Sequence, residues 1–159
     1  MSEIDKMIEK HEEAEQSEYQ YKTKRLLEVY RDYIEECQNI DKLIDELEKL
    51  LSIIDYNDLT DNIVFHETEH YNYIAVWHRN RLCAIKLEKD DPIDKINLAD
   101  MYEREFIYMQ HMTTDVLHDF IMYLPYFLLY LTADIMQQAD KLRITKKKLE
   151  YMLNIGDKA

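Results

Sequence analysis

The sequence predicts a mainly α-helical protein: a bundle of three to four long helices with a coiled-coil-like N-terminal helix and a small inserted β-hairpin or meander. Three observations predict it. Glycine occurs once and proline twice in 159 residues, whereas all-β folds spend glycine on turns and bulges. Two stretches, 26–54 and 128–152, place apolar residues at alternating steps of four and three, the rhythm of a helix face. Between them, one short segment sets two apolar runs around a turn-forming dipeptide. The economical expectation is one domain over 1–159, large enough to bury a core without disulfides or metal.

The N-terminal element is expected to be a long acidic amphipathic helix over 1–57. Leu26, Tyr33, Ile40, Leu47 and Ile54 fall at d of a heptad, and Tyr30, Cys37, Ile44 and Leu51 at a. Leu27 and Ile34 add apolar e positions, and Val29, Leu43 and Leu50 add apolar g positions. A seam this wide calls for more than one neighbour, as in a bundle. Residues 3–18 carry seven acids and few apolar anchors, so they extend the helix or fray as an acidic arm. Asn57 and Asp58 favour turns and are placed at its end.

Residues 62–88 read as the β insert. With Arg79 and Asn80 as a two-residue loop, Val76 faces Cys83, Ile74 faces Ile85 and Trp77 faces Leu82. Asn62, Ile63, Val64 and Phe65 would supply a third strand.

Residues 97–156 are expected to form C-terminal helices. Asn97 is placed as an N-cap with Ile96 and Met101 as a hydrophobic staple. A helix over about 98–123 follows, and Pro125 kinks it or starts the next. Gly156 stands where a C-cap is wanted. The apolar run over 120–131, flanked by Asp119 and Asp134, is short for a bilayer and reads as a buried helix.

The formal charge of −13, from 33 acids and 20 bases, opposes binding to a phosphate backbone. Residues 1–57 hold 16 of those acids against 8 bases, so the negative field centres on the N-terminal third. Cys37 and Cys83 lie in apolar patterns and are expected to be reduced thiols of a cytoplasmic protein. The opening residues, Met1 to Asp5, lack the basic start and apolar run of a signal peptide.

One motif invites a catalytic reading. His66, Glu67, Thr68, Glu69 and His70 match H-E-x-x-H, which on a helix sets two His on one face for zinc with Glu67 as general base. In those residues alone it resembles the zincin metallopeptidase signature. Glu69 departs from the uncharged residue usual there, and no third-ligand motif follows. On a strand the two His would be about 13 Å apart at ~3.3 Å per residue, too far for one zinc. Glu67 with His70 and Asp115 with His118 also have the i, i+3 spacing of di-iron half-sites, but a fourth carboxylate helix is missing. With one glycine, phosphate-binding glycine loops are excluded.

The expectation is therefore a non-enzymatic protein-binding protein without cofactor or metal, acting through helix packing and an acidic face. Glu9, Glu12, Glu13, Glu15 and Glu18 form that face, and Leu27 and Leu50 lie at the edges of the apolar stripe. The partner would be a protein of basic character. In the sharpest form, by analogy, the chain is an inhibitor occupying the basic groove of a nucleic-acid-binding protein. No direct nucleic-acid or membrane contact is expected. Two alternatives stand beside it: a metal-dependent hydrolase or oxidase using His66, Glu67 and His70, and a structural homo-oligomer.

Overall fold

A computed structural model describes residues 2–13, 17–90 and 105–158. The chain forms two compact units, Met1–Leu50 and Leu51–Ala159.

The first unit holds α1 (Glu3–Glu13) and α2 (Glu18–Leu51). The expected single helix over 1–57 is thus two helices, and the second stops at Leu51. A capping box starts α2: the Gln20 N–H donates to Ser17 Oγ (3.2 Å) and the Ser17 N–H donates to Gln20 Oε1 (2.9 Å). Ser2 does the same service for α1, accepting from the Asp5 N–H at 3.2 Å. Arg31 donates to Asp5 Oδ1 at 3.1 Å and ties the two helices together. The Ser2 hydroxyl first, and then Arg31, hold the Asp5 carboxyl below the usual carboxylate range. Ile8 is buried in α1 and Ile44 in α2.

The second unit overturns the helical-bundle expectation. Its centre is a four-stranded antiparallel sheet, β1 (Leu59–Glu67), β2 (Tyr71–His78), β3 (Arg81–Glu88) and β4 (Phe106–Tyr108), in sequential order. Among the described residues the protein has three α-helices and this sheet, so the β element is a core layer. The reason lies in β2 and β3. Ile74, Ala75, Val76 and Trp77 run apolar without alternation, as do Leu82, Cys83, Ala84 and Ile85, and all eight are buried. Strands apolar on both faces need cover on both. Ile74, Val76, Cys83, Ile85 and Leu87 form one buried face with Val64, Phe106 and Tyr108 against them.

The β2–β3 register follows the sequence expectation, with Val76 opposite Cys83, Ile74 opposite Ile85 and Trp77 opposite Leu82. Arg79 and Asn80 have φ of 48° and 62°, the left-handed pair that a two-residue hairpin turn requires. The connection after α2 locks this turn. Asp58 accepts from the Arg79 N–H at 3.0 Å, and Asn80 Oδ1 accepts from the Tyr56 N–H at 3.1 Å. Asn57 and Asp58, expected to end the long helix, instead lie in this connection. β1 extends the expected third strand, with irregular register around Asn62, whose φ is 59°.

The C-terminal half is also corrected. Residues 106–108 are strand β4, which gives the outer edge of β3 a partner, and Met109–His111 form a 3-10 turn. Among the described residues after the sheet, helix resumes at Thr114, as α3 (Thr114–Lys158). Asn97, Ile96 and Met101 lie outside the described residues. Pro125 sits inside α3 rather than dividing it. Proline removes the bond to the carbonyl four residues back, and here Ile121 and Pro125 are both exposed, so water can reach the freed group. Gly156 belongs to the last turn of α3 and is not a cap. Val116, Phe120, Leu124, Phe127 and Leu131 are the buried face of α3. Phe65 of β1 packs edge-on to Phe120, with ring centroids 5.3 Å apart.

Candidate protein interface

The apolar stripe of α2 is divided by burial. Its a and e side is mostly covered: Ile44 is buried, Leu27, Ile34, Cys37 and Leu51 are half-buried, and Tyr30 is exposed. Its d and g side is mostly open, with Leu47 half-buried. Leu26, Val29, Tyr33, Ile40, Leu43 and Leu50 are exposed, Leu50 at 68% and Leu43 at 63%. Isolated exposed apolar residues are ordinary on a protein surface. A continuous row in heptad register is not, because it keeps a helix-wide apolar strip in water. Asp32 and Glu46, at c, border this row, and Glu36 lies within it at g.

α3 is exposed in a comparable way. Opposite its sheet-packed face it presents Met122, Tyr126, Leu129 and Tyr130 to solvent. By length and composition α3, over Thr114–Asn154, is apolar enough to cross a membrane. Yet Phe120 and Phe127 are fully buried, and two acids within it make polar bonds to the sheet unit. His66 Nδ1 and Asp119 Oδ2 are 2.6 Å apart, and Tyr56 Oη donates to Asp134 Oδ2 at 2.5 Å. Tyr123 Oη also donates to Asp61 of β1.

These tyrosines carry a pH signature. Burial first, and then the bond to Asp134, push the Tyr56 hydroxyl up to about 12, and burial and Asp61 push Tyr123 up as well. A group whose folded pKa is raised stabilises the fold fully below its unfolded value near 10 and loses that contribution as pH rises through the folded value. Thermal melts should therefore show a loss of stability that begins near pH 10 and continues to about 12. The loss should be smaller in the Tyr56→Phe, Tyr123→Phe double variant. An identical alkaline profile in the double variant would show that the two hydroxyls do not matter to folding.

The H-E-x-x-H segment is not helical. His66 and Glu67 end β1, while His70 lies in the turn before β2. His66 is mostly covered and bonded to Asp119, whereas His70 is 76% exposed and Glu67 pairs with Lys89 at 3.5 Å. The two imidazoles thus serve different surroundings, and the shared helix face needed for zinc is not there. The di-iron reading loses its Glu67 and His70 half-site for the same reason. His70 borders an open hollow of about 430 Å³ with Glu69, Tyr71, Glu88, Lys89 and Asp90. Among the described residues no group of three His, Cys, Asp or Glu is placed to hold a metal. In a second His–Asp pair, buried His78 Nδ1 lies 2.7 Å from half-buried Asp58 Oδ2, and the imidazole stacks on Phe106 at 3.8 Å. It fastens the hairpin turn.

No family model, curated protein or solved structure matches this chain.

The residues expected to bind a partner are distributed as follows. Glu9 is exposed on α1, and Glu18 opens α2, where it pairs with Lys22 at 2.9 Å. Glu15 and the side chains of Glu12 and Glu13 lie outside the described residues. Leu50 is exposed on the open side of α2, whereas Leu27 is half-buried on the covered side. The two edges of the stripe are alike in sequence, and burial separates them. Val29, Tyr33, Ile40 and Leu43 belong with Leu50. Their heptad positions were visible in the sequence, but nothing local says which side of a wide seam is covered.

Proposed function

We propose that this chain is a non-enzymatic protein-binding protein whose binding surface is the d and g row of α2. The observation that carries this reading is the exposure of Leu26, Val29, Tyr33, Ile40, Leu43 and Leu50 in one register on a 34-residue helix. Helix-in-groove and helix-on-helix recognition both read such i, i+3, i+7 anchors. Eight acids against two bases over residues 28–48 favour a partner with a basic surface, a nucleic-acid-binding groove being one such surface, because complementary potential speeds encounter and rejects like-charged competitors. Free Cys37 and Cys83, the latter buried with its thiol pushed up to about 12, suit a reducing, cytoplasmic setting.

The test is affinity capture from the native source with the wild-type chain and with the Ile40→Lys, Leu43→Lys double variant. The expected result is a protein retained by the first, lost by the second and released by salt. Both changes lie on exposed positions, so the melting temperature should not move. Reversing Glu9, Glu12, Glu13 and Glu15 to Lys should slow association, since exposed charges are screened beyond about 10 Å at ~0.1 M salt. Capture that is the same for wild type and the α2 double variant would remove α2 from the mechanism.

A further inference from the structure

α3 does not end where its sheet contacts end. Leu131 is the last buried residue among the described ones, and every side chain from 141 to 154 is exposed. This tail nevertheless keeps a heptad seam, with Leu142 and Leu149 at a, and Thr145 and Met152 at d. Leu142 and Met152 are 68% and 65% exposed. Lys141 and Lys148 occupy g and Lys146 occupies e, the positions that border a seam and set partner choice in coiled coils. Residues 141–154 hold five bases and one acid, the reverse of the balance on α2 over 28–48.

We propose that the basic α3 tail of one copy docks on the exposed, acidic α2 row of a second copy, making a homodimer. The proposal rests on α2 being the binding surface, and it names the occupant. Like-on-like pairing is disfavoured on both helices. Two α2 rows would bring Asp32, Glu36 and Glu46 towards their own counterparts, and two tails would do so with Lys141, Lys146 and Lys148. The crossed pair sets opposite charges beside two apolar seams of matching period. Both rows are exposed, and their opposite charge and matching period make each a fit for the other. A two-fold axis would form the contact twice, tail on α2 and α2 on tail, so two short seams act together.

Sedimentation of the full-length chain at low and high salt tests this. The expected result is a dimer that weakens as salt rises. The Lys141→Glu, Lys146→Glu, Lys148→Glu variant should dimerise at least about tenfold more weakly, a change of ~1.4 kcal/mol, with an unchanged melt. The Asp32→Lys, Glu36→Lys, Glu46→Lys variant should fail alone in the same way. Mixing the two reversed variants should restore a heterodimer, an outcome that a merely structural role for these charges would not produce. A wild-type chain that stays monomeric overturns the proposal, and so does a dimer indifferent to the lysine reversals. In the second case the Ile40→Lys, Leu43→Lys variant separates the two readings. If it is monomeric, α2 remains the binding surface and only the tail is wrong. If it is still dimeric, α2 does not form that contact.

Discussion

Replacing Phe120 by alanine is expected to destabilise the protein by about 3–5 kcal/mol, the usual range for deleting a buried aromatic ring from a core. Phe120 is fully buried on the face of α3 that packs towards the sheet. It meets Phe65 edge-on, while Tyr123 stacks on the same Phe65 ring with centroids 6.2 Å apart. The neighbouring bonds from Asp119 to His66 and from Tyr123 to Asp61 hold α3 and β1 in register, so the structure cannot easily collapse into the space left behind. That resistance places the cost towards the upper end of the range. The melting temperature should fall on the order of 10 °C. Tyr126→Ala serves as the control, because Tyr126 is 69% exposed on the opposite side of the helix. It should change stability by no more than about 0.5 kcal/mol. Urea titration of both variants decides the matter: similar midpoints would mean that the buried face of α3 has been wrongly assigned.

Ile44→Asp should be of similar severity, for a different reason. Ile44 is the one described residue of α2 that is buried, at 5% exposure. The substitution removes about 1.5–3 kcal/mol of apolar burial and puts a carboxylate where it has no partner. Burying that charge is expensive, so the local structure must open to hydrate it. A total cost of several kcal/mol should remove a large share of a typical stability of about 5–15 kcal/mol and lower the melt on the order of 10 °C or more. Leu50→Asp, on the same helix but 68% exposed, should melt like the wild type and impair only association. Circular dichroism and sedimentation on the two variants separate the covered side of α2 from its open side. A folded Ile44→Asp protein with a wild-type melt would show that an interface has been mistaken for a core.

The features legible in the sequence are those whose physics is local. The β2–β3 register could be read because strand side chains alternate with period two and Arg79 with Asn80 suits a left-handed two-residue turn. The helical character of α2 followed from four-three spacing. The capping box at Ser17 and Gln20, which divides the N-terminal helix, is equally local but is masked by the stronger heptad signal. The lack of alternation in β2 and β3 is local too, and marks a sheet covered on both faces rather than a surface insert.

What tertiary structure alone decided concerns partners distant in sequence. The apolar spacing over 106–113 suits a helix as well as a strand, and the open edge of β3 settled it as β4 by offering hydrogen bonds that no local propensity foresees. His66 and His70 have the spacing of zinc ligands, but Asp119, 53 residues away, took His66. The seam of α2 was plain from its residues, yet most of its a and e side became covered while most of its d and g side stayed in water. The period of a helix states how wide its apolar face is, and only the packing around it determines which part of that face is left for another molecule.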